Sequence, residues 1–178
     1  MRKYLIQFKP FLIFIGTFFV TYIVLTFIYK CYLDSFQVSD VDGITKAVAR
    51  NVEQLMKLFN CDIIVDKKWS DSWLDVFYNY RYMTRIIEGC NAVSVVILFV
   101  SFVVAFSGKF KQTFLFILFG VLLIYIFNVI RIALLVVLMY HFPEYAHFLH
   151  SVFFPLVIYG LVFVLWVIWI NKFSKYAR

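Results

Sequence analysis

Three side chains in this sequence carry chemistry that a lipid-facing helix does not need. They are the thiol of Cys90, the guanidinium of Arg131 and the imidazole of His147 or His150. A thiolate attacks a carbonyl carbon and leaves a thioester. An imidazole, with a reference pKa of about 6.5, takes and returns protons near neutrality. A guanidinium stabilises the oxyanion of a tetrahedral intermediate, most effectively in a low-dielectric site. Together they describe acyl transfer. Arg131 is the most informative of the three, because it lies within Thr113–Tyr140, a run with no other ionisable group stronger than tyrosine. Placing its charge in hydrocarbon costs roughly 2.5–3.5 kcal/mol. Such a residue is kept when it is used or when it snorkels to water. Asn128 lies one turn earlier on the same helical face.

Each group also has a plain reading. A free cysteine is usually a buried, inert one. Asn128 can serve as helix–helix glue, worth about 0.6 kcal/mol. Histidines are ordinary in an interfacial stretch such as His141–His150, HFPEYAHFLH. The three histidines beside Glu144 lack a second acid and a ligand spacing such as HExxH, so a metal is not indicated. The chemistry sketched above requires no cofactor.

The elements that must position these groups are membrane helices. The chain has 178 residues, of which 64% are hydrophobic and 22% aromatic. An ordinary soluble domain is nearer half apolar. Four apolar segments appear, at 11–29, 90–107, 113–140 and 151–170, against the roughly 20 residues that cross a bilayer core. The first is followed directly by Phe27-Ile28-Tyr29-Lys30 and has no small-residue cleavage site, so it reads as a retained anchor. The expected architecture is an all-α membrane protein, a single unit over residues 1–178, with a small α+β region at 30–89.

Charge orients these helices. The net charge is +7, with no motif of a nucleic-acid module, and the placement of the charges matters more than their sum. Arg2, Lys3, Lys9, Lys109, Lys111, Lys172, Lys175 and Arg178 fall in three segments without an acid, while every Asp and Glu falls in 30–89 or at Glu144. The positive-inside rule then puts both termini in the cytoplasm, and 30–89 and 141–151 outside. In this arrangement Cys90, Arg131 and the His147/His150 pair come to the outer membrane face from three different helices. Arg131 lies roughly 13 Å below the end of its helix at 1.5 Å per residue.

Within 30–89, Asp42-Gly43 precedes apolar residues at helical spacing: Ile44, Val48, Val52, Leu55, Met56 and Phe59. Ile63–Val65 and Tyr82–Ile87 read as short strands. The region is too small for much of a core of its own and is expected to pack on the membrane helices. Cys31, Cys61 and Cys90 all fall outside; Cys31 and Cys61 are able to bridge, and Cys90 is different. It sits in Glu88-Gly89-Cys90-Asn91, where the loop enters the second segment, and a helix N-terminus there favours a thiolate.

Glu88-Gly89-Cys90-Asn91 resembles the cysteine motif of the exosortase/archaeosortase family, which is more often Ala-Cys-Ser/Thr-Gly. Asn128-Val129-Ile130-Arg131-Ile132 is similar to the family's Asn-x-x-Arg motif, and a histidine before the next helix completes the order Cys, Arg, His. The resemblance covers about residues 80–170 and is greatest to the short Bacteroidetes-type exosortases; larger members have about twice as many membrane helices. It implies a membrane cysteine protease/transpeptidase at the periplasmic face of a bacterial inner membrane. The implied roles are Cys90 as nucleophile, His150 as acid/base and Arg131 as oxyanion stabiliser, supported by Asn128, His147 and Glu88. His150 is preferred because it lies immediately before the last helix. Implied partners are membrane-anchored proteins whose C-terminal sorting signal is a short motif, a transmembrane helix and a basic cluster, together with the bilayer itself. The 30–89 region would form a lid or a docking surface. Two other readings remain. One is a non-enzymatic subunit of a surface-export assembly, with Cys90 inert. The other is a small transporter with Arg131 as its anion site, disfavoured because the third segment offers only Asn128 and tyrosine below Arg131.

Overall fold

The computed structural model describes residues 8–37, 40–67, 71–106 and 108–173. Arg2, Lys3, Lys175 and Arg178, invoked above for orientation, lie outside them. Among the described residues three helices are long and apolar enough to cross a membrane: Lys9–Asp34, Phe110–His141 and Pro143–Lys172. The first is α1. The second, 32 residues long, is α4. The third opens with a 3-10 turn at Pro143–Tyr145 and one α turn at Ala146–Phe148. It then passes through a π turn at Leu149–Phe153 and settles into α5, Phe154–Lys172. A fourth apolar helix, α3, is shorter: Val93–Ala105, 13 residues. Its start differs from the expected 90. The Asn91 Oδ1 accepts the Val93 N–H at 3.0 Å, and Ala92 sits in the left-handed region at φ 62°. That kink ends the preceding 3-10 turn, Glu88–Cys90, before the α-helix begins. Cys90 therefore stands ahead of α3 rather than in its first turn.

Between α1 and α3 lies the small α+β region. Helix α2 is Gly43–Leu58. Asp42 caps it, its Oδ1 accepting from the Ile44 and Thr45 N–H groups at 3.0 and 2.9 Å, the arrangement that satisfies a helix's first free amides. Strands β1 (Ile63–Asp66), β2 (Leu74–Tyr78) and β3 (Arg81–Ile86) form an antiparallel sheet in the order β1-β2-β3. Asn79 and Tyr80 close the β2–β3 hairpin with positive φ, 49° and 60°, as a two-residue turn compatible with strand twist requires. The sheet reaches the end of α4: the Tyr78 and Tyr140 rings meet edge-on at 5.0 Å, and Arg81 lies over Tyr140. Asp40 accepts from Lys67 and Lys46 at 2.8 and 3.0 Å, and these two ammonium groups hold its carboxyl well below the usual carboxylate range.

Two apolar clusters divide the molecule. One joins Val48, Val52 and Met56 of α2 and Ile63, Val76 and Ile86 of the sheet to Val129, Ile132, Ala133 and Val136 of α4. The outer region has no separate core, as its size implied; it borrows one face of a membrane helix. The second cluster joins Phe99 and Val103 of α3, Phe116 and Ile124 of α4, and Ile158, Val162, Leu165 and Trp169 of α5. At Gly120 the backbone of α4 comes so close to the Phe99 ring that a methyl group would overlap it. Small residues let membrane helices approach in this way. Helix α1 has no buried residue and leans on α3, with Phe14 against Phe102 and Phe106.

Candidate active site

Cys90 ends the Glu88–Cys90 turn, its own N–H bonded to the Ile87 carbonyl at 2.8 Å. It is half-buried and packs on the edge of the outer cluster. Its carbonyl oxygen accepts from Asn128 Nδ2 at 2.7 Å. Asn128 is 1% exposed. The family resemblance names Asn128 as a supporting residue; in the structure it clamps the backbone of Cys90 to the middle of α4. A charge-free amide is suited to that task, since a buried carbonyl left unpaired costs about 1–3 kcal/mol.

One turn further along α4, Arg131 is half-buried, and its Nε is fully buried with no hydrogen-bond partner. Two titratable groups act on it electrostatically, Cys90 and Tyr159 of α5. Among the described residues no carboxylate pairs with it. A permanent cation with an unfilled donor thus lies within electrostatic reach of a thiol. Such a cation can stabilise an oxyanion formed beside that thiol.

Asn91 was noted in the sequence only as the residue standing where the family motif has Ser or Thr. In the structure it is a junction, 4% exposed. Its Nδ2 donates to Tyr29 Oη of α1 at 2.8 Å and to Thr45 Oγ1 of α2 at 3.1 Å, while its Oδ1 caps α3. Four elements, α1, α2, the Cys90 turn and α3, therefore meet at the residue after the thiol. The signal available in sequence was a single amide opening an apolar helix. Tyr159 was not singled out at all, and one tyrosine among 12 gives no such signal.

His150 lies in the π turn and is exposed; His147, one turn earlier, is exposed too. Among the described residues neither side chain makes a hydrogen bond. π turns recur at functional sites because they displace a side chain from the regular helical face. The structure joins Cys90 to Asn128, with Arg131 one turn further along α4, and leaves the two histidines exposed. Glu88 is exposed and lines a cleft of about 660 Å³ with Lys30, Asp34, Asp40, Asp42 and Ser72. Cys31, Cys61 and Cys90 are all free thiols.

A family model for transmembrane exosortases matches residues 10–172. The chain belongs to the transmembrane exosortase family. No curated protein and no solved structure matches it. This exosortase is accordingly a multi-pass membrane protein of a family of cysteine peptidases and transpeptidases, and the residue order Cys90, Arg131, His150 lies within the matched span.

Proposed function

We propose that this exosortase is a membrane cysteine protease/transpeptidase that cleaves C-terminal sorting signals at the periplasmic face of the bacterial inner membrane. It crosses the bilayer four times, with both termini cytoplasmic. Cys90 is the nucleophile. His150 takes the thiol proton, the thiolate adds to the scissile carbonyl, and the oxyanion so formed is met by the Arg131 guanidinium. Collapse of the intermediate expels the amine of the cleaved signal, which takes a proton from His150, and leaves a thioester on Cys90. Water or an acceptor amine, deprotonated by His150, then attacks the thioester and restores the thiol. His147 is the alternative proton carrier.

The observation that carries this reading is the pairing at α4. Asn128 binds the carbonyl of Cys90, and Arg131, one turn on, has a buried donor without a partner. A charge kept at membrane depth with nothing to neutralise it is explained if a transient anion forms beside it.

The test is replacement of Cys90 by Ala or Ser, followed by intact-mass measurement of candidate substrates bearing C-terminal membrane helices. Loss of processing supports the reading; normal processing refutes the nucleophile. The exposed, unbonded position of His150 favours the second reading, a non-enzymatic subunit of a surface-export assembly with an inert Cys90. Thiol alkylation of intact membranes at pH 7 separates the two: a Cys90 no faster than a generic thiol favours the subunit.

A further inference from the structure

At the lysine-bearing end of the molecule, residues of α4 and α5 line a groove of about 400 Å³. Its floor is aromatic. Phe116 lies 5.0 Å from Trp169 and 5.6 Å from Phe173, ring centre to ring centre. Its walls are Leu115 and Phe119 on α4 and Ile168 on α5, all turned outward. At its mouth stand Gln112 and Lys172. Both are exposed, and among the described residues Lys172 has no ion-pair partner. None of the chain's 10 acids lies at this end; they fall at Asp34–Glu88 and at Glu144.

The walls continue the apolar faces that α4 and α5 expose along their lengths, so the groove opens to the acyl chains of the bilayer. A groove apolar along its depth and cationic at its rim matches one kind of molecule: an acyl chain attached to an anionic head. We propose that this groove binds an anionic phospholipid. One acyl chain lies along Leu115, Phe119 and Ile168, and the phosphodiester meets the Lys172 ammonium and the Gln112 amide. Basic rims between membrane helices take such headgroups. A zwitterionic lipid fills the groove equally well but gains less at its mouth. This site lies at the opposite end of the helices from Cys90 and does not depend on the enzymatic reading.

The test uses the full chain in nanodiscs of acyl-matched phosphatidylglycerol and phosphatidylcholine in equal amounts, with retained lipid counted by native mass spectrometry. The wild-type chain is expected to retain phosphatidylglycerol over phosphatidylcholine by about fivefold, the effect of one lysine at an anionic surface. Lys172→Gln brings the ratio close to one. Lys57→Gln, the same charge change at an exposed position on α2, leaves the ratio as in wild type. Leu115→Trp, which fills the groove, lowers the retention of both lipids. Equal retention by the wild-type chain overturns the proposal. So does a preference that survives Lys172→Gln, one that falls as far in Lys57→Gln, or lipid retention untouched by Leu115→Trp.

Discussion

Asn128 and Arg131 are three residues apart on one helix and do different work. Asn128→Ala leaves the Cys90 carbonyl unpaired, at a cost of about 1–3 kcal/mol. It is expected to lower both the melting temperature in detergent and the rate of substrate processing. Arg131→Ala relieves an unpaired buried donor, so its effect on melting is small. Its effect on processing is a loss of about 10²–10³-fold, the size seen when one oxyanion donor is removed. Measuring both quantities on both variants separates the residue that positions from the residue that reacts. The pair was legible in the sequence because a charge and an amide stand out in an apolar run. Which backbone the amide would hold was not legible, because Cys90 is 38 positions away. The same distance hides Asn91, whose partners lie 62 and 46 positions off. Asn91→Ala removes three hydrogen bonds at once and is expected to melt α1 and α2 away from the Cys90 turn, read as faster hydrogen exchange at the first turn of α2.

Among the elements, α2 was readable from its cap and its helical spacing, while strand β2 was not. Leu74, Asp75 and Val76 are all buried, so both faces of the strand are covered, and a carboxylate at its second position is not what a buried strand would show in sequence. The neighbouring Ser72 and Asp71 read as loop. The β2–β3 turn places Tyr80 in the left-handed region with its ring 86% exposed. A tyrosine there carries backbone strain and gains no burial. Tyr80→Gly is expected to stabilise the protein by about 0.5–1 kcal/mol, seen as a melting temperature a few degrees higher. Gly120→Ala acts in the opposite sense. Its methyl group meets Phe99, and the overpacking is expected to cost about 1–3 kcal/mol, with the melting transition shifted down accordingly. Helix length in the second apolar segment was overestimated for a local reason: hydropathy continues through Ala92, but the left-handed turn there does not.

On the scale of the whole molecule, the lengths of the helices decide where the thiol sits. Asn128 marks the level of Cys90 on α4, and His141 ends α4 thirteen residues beyond it, roughly 20 Å along the axis. The sheet rests on that far end through Tyr140. Cys90 thus lies about 20 Å, measured along α4, below the end on which the sheet rests. For the proposed reaction this depth acts as a measuring rod. An extended chain advances about 3.3 Å per residue, so roughly six residues must separate a substrate's folded domain from the bond that Cys90 attacks. Substrates with shorter spacers hang above the thiol uncut, and a series of spacer lengths assayed for cleavage would show a threshold rather than a gradual decline.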